Sequence, residues 1–215
     1  MSDEQGVKTF FSAYAEDFDS IYGDGKKRNF FNKVADKLFR KSMYERYKRT
    51  INFILQNKAG SVLDVGCGSG RYSIDLAENG VSVTGVDLSQ NMLDIAKKNS
   101  QKFDFNNKYL LGSYLDVDIE NKHEIAILMG FFDYISNPLE IFIKLKKDTS
   151  NYILASFPKS GGMLGLQRKI RYRMRNCQLF YYDKKYLDNL MKDSAISEYE
   201  IQDNDREYFL VAKIS

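Results

Sequence analysis

Three glycines, Gly66, Gly68 and Gly70, stand at alternate positions in the stretch VLDVGCGSG, and the carboxylate of Asp64 lies two residues ahead of the first. A second carboxylate, Asp87, closes the run VTGVD, 21 residues after Gly66. A glycine turn lets the backbone approach a ligand that any Cβ would hold off. A helix starting after that turn offers free N–H groups. A carboxylate at the end of the next strand can accept hydrogen bonds from both hydroxyls of a ribose. The dinucleotide fingerprint G-x-G-x-x-G is not met, because from Gly66 it needs glycine where Arg71 stands. The form here is D-x-G-x-G-x-G. Asp64 would repel a pyrophosphate and accommodate an ammonium or a sulfonium. The two acids therefore describe a nucleoside site with a cationic or zwitterionic tail. A tight turn without a ligand is the plain alternative.

Elements must carry these residues. SVLDV is a short apolar run, long enough for a buried strand, and RYSIDLAEN is amphipathic with Gly80 at its C-terminal cap. VSVTGVD reads as a second strand, and Ser89 caps the helix QNMLDIAKKN. KYLLGS, EIAILMG and NYILASF give strands three to five, with the helix NPLEIFIKLKK between the last two. Asp183 would cap KKYLDNLMKD, and SEYEIQD and REYFLVAKI form an antiparallel pair at the sheet edge. Strands alternating with helices predict an α/β, Rossmann-like doubly wound fold. The expected sheet is seven-stranded and mostly parallel with one antiparallel edge strand. Residues 1–59 form an N-terminal helical lid region, with Phe10, Tyr14, Phe18 and Tyr22 as an aromatic stripe. Its second part, Lys26 to Asn57, reads as two helices rich in basic residues. The core occupies 60–215, with a basic insertion at about 159–178.

The run VLDVGCGSG…VTGVDLSQNMLDIAKKN resembles the class I S-adenosylmethionine-dependent methyltransferase family, over roughly residues 60 to 157. The resemblance implies S-adenosyl-L-methionine as cofactor and S-adenosyl-L-homocysteine as product. The loop Gly66, Cys67, Gly68 to Gly70 would carry the methionine part, and Asp64 would orient the loop or reach the amino group. Asp87, with Leu88 beside it, would hold the ribose. Met92 would pack on adenine or serve as a core methionine. The family often has an acid after strand three, facing the adenine amino group. Here Gly112-Ser113 stands in its place, and either Ser113 or Asp116 would make that contact. After strand four, LMGFFDYI resembles the loop beside the transferable methyl, so Leu128, Met129 and Gly130 would line the methionine chain. Asp133 and Tyr134 would then start the next helix near the acceptor.

Methyl transfer from a sulfonium is an in-line displacement, so the protein mainly supplies approach geometry and desolvation. A general base is needed only for a poor nucleophile such as an alcohol. Asp133, Tyr134, Tyr14 and Tyr22 are the candidates, with capping and packing as their structural alternatives. His123, the single histidine, precedes strand four and is expected to be solvent-exposed and structural. Arg168, Arg171, Arg173 and Arg175 in QRKIRYRMRN suit an anionic acceptor, since Arg forks fit carboxylate and phosphate. A solvated helix face is the alternative, and Arg40, Arg46 and Arg49 would add to the same field. The layout ASFPKS…RKIRYRMRNCQLFYYD more weakly resembles the magnesium-protoporphyrin methyltransferase branch, whose acceptor carries carboxylates. This similarity and the arginines favour a small anionic acceptor, carboxylated, phosphorylated or nucleotide-activated, methylated on oxygen or nitrogen.

Composition narrows the rivals. A net charge of +3 is too small to imply nucleic acid by itself. An RNA or nucleic-acid methyltransferase draws support from the basic segments with interleaved tyrosines, but SNPLE lacks the N/D-P-P-Y/F base-amino motif. A non-catalytic S-adenosylmethionine-binding protein is the other rival, opposed by the intact glycine loop and Asp87. The two cysteines, Cys67 and Cys177, fit no metal-ligand spacing and no disulfide framework, so no metal is expected. Their reduced state suits the cytoplasm, and no apolar run approaches the roughly 18 residues of a membrane span.

Overall fold

The computed structural model describes residues 30–101, 107–159, 179–204 and 206–214, with side chains of the first helix from Ser42 onward. That helix, α1, is Phe30–Gln56. It is one continuous helix where two were expected, because no glycine or proline interrupts residues 30–56. The core then alternates β1 (Ser61–Val65), α2 (Arg71–Glu78), β2 (Ser82–Asp87), α3 (Gln90–Ser100) and β3 (Lys108–Leu111). It continues with β4 (His123–Leu128), a 3-10 turn (Phe132–Tyr134), α4 (Leu139–Asp148), β5 (Thr149–Pro158), α5 (Lys184–Asp193), β6 (Glu198–Asp203) and β7 (Glu207–Lys213).

The seven strands form one sheet in the order β3-β2-β1-β4-β5-β7-β6. β1 to β5 are mutually parallel, and β7 runs antiparallel to both β5 and β6. The expected β6/β7 antiparallel pair closes this edge, with β7 inside and β6 outside. The order reverses between β1 and β4, which places the switch point of the fold at the glycine turn after β1.

Alternate residues of each strand feed two cores, as a sheet covered on both faces requires. Leu63, Val65, Ala126, Leu128, Ile153 and Phe157 face α4 and α5, joined by Phe142, Leu145, Leu187 and Met191. Val62, Val83, Ile125, Ile127 and Leu154 face the other way, against Ile54 of α1 and Leu76 of α2. Phe132, just after β4, stacks on Phe157 at 4.3 Å and on Phe142 at 5.7 Å, so the 3-10 turn is rooted in the first core.

The expected caps are present. Ser89 accepts the Met92 N–H and Asp183 accepts the Tyr186 N–H. Gly80 follows α2 with φ +80°, a left-handed conformation that suits glycine. His123 lies at the amino end of β4 as expected, but it is not solvent-exposed. Only 8% of its surface is accessible, and its Nε2 pairs with Thr84 Oγ1 of β2 at 2.9 Å. The register that pairs neighbouring strands carries it inside, and burial pushes its pKa down.

Candidate active site

The parallel strands end together at Val65, Asp87, Leu111, Leu128 and Pro158, and the residues singled out by sequence gather at that end. The glycine turn is tied to the neighbouring strand: Gly66 and Cys67 N–H both donate to Val86 O, at 2.8 and 3.1 Å. Gly66, Gly68 and Gly70 all have positive φ, +73°, +54° and +78°. Their surroundings differ. A Cβ on Gly66 would meet the Phe131 ring at 2.8 Å, and one on Gly70 would meet Ala96 Cβ and the Tyr109 hydroxyl at 3.0 Å. A Cβ on Gly68 would meet no atom of the described residues within 4 Å. Packing therefore accounts for two of the glycines, and the third has no close neighbour among the described residues.

Asp87 joins the turn to the next helix. Its Oδ2 accepts the Gly68 N–H and its Oδ1 accepts the Ser89 N–H, both at 2.9 Å. Each carboxylate oxygen keeps a second lone pair. Burial raises its pKa, against the lowering pull of the Ser89, Gly68 and Leu88 N–H groups. Asp64 is more enclosed, at 2% exposure, and Ser73 of α2 donates to its Oδ2 at 2.8 Å. Burial pushes the Asp64 carboxyl up to about 7, with the Ser73 bond opposing and the Asp87 charge assisting. Near neutrality it is thus only partly ionised, so it repels a pyrophosphate less than its position alone implies. Its visible partner is the helix after the turn. Cys67 is buried, and Gly85 makes room for it, since a Cβ there would lie 2.8 Å from Cys67 Sγ. Burial and the two nearby acids push its thiol pKa up, so it is no nucleophile.

Beyond the ends of β2 and β3, Leu88 is half-buried, Ser113 is buried and Asp116 is exposed. Met92 is only 1% exposed and presents almost no surface, whereas Leu88 does. Gly112 N–H donates to Asp87 O at 3.0 Å, which brings the turn after β3 to the same edge.

After β4, Leu128 is fully buried and Met129 half-buried. Gly130, at φ +75°, donates its N–H to Ser156 Oγ at 2.8 Å. Asp133 and Tyr134 lie in the 3-10 turn, 8% and 7% exposed. The Asp133 carbonyl accepts the Phe180 N–H at 2.9 Å, and Tyr182 bridges to Lys159. Both ends of the basic insertion thus meet beside this turn. Tyr14, Tyr22, Arg168, Arg171, Arg173 and Arg175, and the side chain of Arg40, lie outside the described residues. Arg49 lies over the Phe209 ring at 5.0 Å. Arg46 pairs with Glu207 at 2.7 Å, so it is neutralised rather than an open anion receptor. Ser156 is the site-edge residue that sequence reading missed, since a lone serine in an apolar strand carries no spacing signal. Among the described residues no group of His, Cys, Asp and Glu could hold a metal ion, and no helix is long and apolar enough to cross a membrane.

Known proteins are similar to parts of this chain and to its fold. Residues 62–146 match the family model of a methyltransferase domain. Over these residues the chain is similar to class I S-adenosylmethionine-dependent methyltransferases, whose sheet order and glycine turn it shares. YqeM of Bacillus subtilis is 43% identical over 68 residues, 32% of this chain and 27% of that protein. The ubiquinone biosynthesis O-methyltransferase of Coxiella burnetii is 35% identical over 85 residues, 38% of this chain and 35% of that enzyme. The chain thus spans about a third of the length of these curated relatives. Magnesium protoporphyrin IX methyltransferase of Synechocystis PCC 6803, solved with S-adenosylmethionine bound, superposes with a TM-score of 0.78 at 18% identity. That match covers 100% of this chain and 98% of the other. At such identity the likeness is one of fold.

Proposed function

We propose that the chain transfers a methyl group from S-adenosyl-L-methionine to an oxygen or nitrogen of a small anionic acceptor. The observation that carries this reading is Gly68. Among the described residues no atom crowds it, and it sits at the switch point directly beside the Asp87 carboxylate. When bound, the cofactor supplies a sulfonium methyl already activated for displacement.

In this reading the Gly66 to Gly70 turn cradles the amino-acid part, with Cys67 packed beneath it. Asp87 accepts from the ribose hydroxyls through its remaining lone pairs. Leu88 and Ser113 flank the adenine, with Met92 below and Asp116 as the alternative polar contact. Met129 and Gly130 line the methionine chain. Asp64 acts through Ser73, fixing the N-terminus of α2 against the turn. Asp133 and Tyr134, or Tyr14 and Tyr22 from the N-terminal segment, take the acceptor proton where the acceptor is an alcohol. An amine acceptor needs only alignment and exclusion of water. Arg168, Arg171, Arg173 and Arg175 bind the anionic group of the acceptor. The insertion supports this by its roots, which meet beside Asp133. In the Synechocystis relative, named for magnesium protoporphyrin IX, the fold serves a small-molecule acceptor.

Calorimetry with S-adenosylhomocysteine tests the site. Asp87→Ala should weaken binding by at least about tenfold, given about 1.5–3 kcal/mol for hydrogen bonds to a charged group. Unchanged affinity would remove Asp87 from the site.

A further inference from the structure

Helix α1 touches both halves of the site through adjacent residues. Arg46 Nη1 donates to Glu207 Oε2 of β7 at 2.7 Å and to Ser156 Oγ of β5 at 3.3 Å. The same Ser156 oxygen accepts the Gly130 N–H at 2.8 Å. Ser156 is 2% exposed, and the Arg46 and Glu207 side chains are 13% and 12% exposed. This run of polar contacts is therefore shielded from water, where each one counts for more. Gly130 leads into Phe131, whose ring lies against Gly66. On the other side, Tyr47 meets the Tyr72 ring at 5.0 Å and the Arg71 guanidinium at 4.9 Å, at the first turn of α2. One turn further along α1, Thr50 is fully buried with its Oγ1 3.6 Å from Met129 Sδ.

We propose that Arg46 is a positioning residue for the turn after β4. By holding Ser156 and Glu207, it fixes the Gly130–Phe131 turn against Gly66 and so sets cofactor affinity without touching the cofactor. This rests on the methyl-donor reading of the glycine turn. The chemistry is specific. A hydroxyl has two lone pairs and one rotatable proton. With Arg46 donating to one lone pair, Ser156 has the other free for Gly130. Without Arg46, the hydroxyl can turn and donate to another acceptor, and Glu207 is left as a shielded carboxylate without its cation. The Gly130 amide then loses its fixed partner.

Hydrogen exchange of the Gly130 amide in the ligand-free protein reads the turn directly, and calorimetry with S-adenosylhomocysteine reads the consequence. Arg46→Met and Ser156→Ala should each speed Gly130 exchange by roughly tenfold, with β1 amides unchanged, as expected for loss of one hydrogen bond. Each should weaken S-adenosylhomocysteine by roughly threefold to tenfold, and the double variant should match the worse single one. Ser156→Thr, which keeps the hydroxyl, should restore Gly130 protection. If Arg46→Met does not fold, Glu207→Gln should give a smaller change in the same direction. Unchanged Gly130 exchange in the Arg46 or Glu207 variant, or additive losses of affinity, would overturn the proposal. The exchange measurement needs no ligand. Failure of the wild type to bind S-adenosylhomocysteine would sink the donor reading, and with it the affinity half of this one, while normal binding with unmoved Gly130 exchange would sink only the positioning role.

Discussion

Asp64 shows how one side chain can change an argument between sequence and structure. By its position it is an anion at the end of β1; by its burial it is an acid with a pKa of about 7. The ordinary carboxylate value is 3.8, so between pH 4 and 7 the folded chain holds a proton that the unfolded chain has released. Stability from this group is fully present below the lower value and is lost as pH rises through the upper one. Asp87, raised in the same direction, adds to the trend. Denaturation profiles should therefore fall between pH 4 and 7, with up to about 1.4 kcal/mol per pH unit from Asp64. Asp64→Asn, which cannot titrate, should flatten them. A profile that rises across that window in the wild type, or keeps its slope in the variant, would contradict the assignment. The sequence showed where Asp64 lies and not its charge, because burial depends on the strands either side of β1. His123 is the same lesson with the opposite sign.

At the scale of the element, the glycine turn divides into two kinds of position. Gly70→Ala drives a methyl against Ala96 and Tyr109 at a left-handed φ, and should lower stability by about 1–3 kcal/mol. Gly68→Ala meets no described residue, so its stability cost should stay near the left-handed penalty of about 1 kcal/mol. Its loss should fall on S-adenosylhomocysteine affinity instead. Melting temperature and calorimetry on the two variants separate these outcomes; equal melting losses with equal affinities would mean that Gly68 only shapes the turn. Elements of this kind were legible from the chain. Strand–turn–helix spacing, the Ser89 and Asp183 caps and the antiparallel β6/β7 pair all rest on local patterns. The single helix α1 was read as two because a charge-rich segment gives little periodic signal. The Arg46 contacts had no local pattern at all, since they join residues 110 and 161 positions apart.

For the whole molecule, the question is where the acceptor arrives. The ends of the basic insertion meet beside the 3-10 turn, while the described cations of the same edge are engaged: Arg46 with Glu207, and Lys159 with Asp203. Charge reversal at Arg171 and Arg173 should therefore raise the acceptor KM at least tenfold and spare S-adenosylhomocysteine affinity, as loss of charge-assisted contacts predicts. A fall in cofactor affinity instead would place the insertion over the donor. The whole chain also lacks tryptophan. Phe131, half-buried against Gly66, is consequently a natural place for a spectroscopic label: Phe131→Trp would put the chain's sole indole where the turns after β1 and β4 meet, with no background emission to subtract.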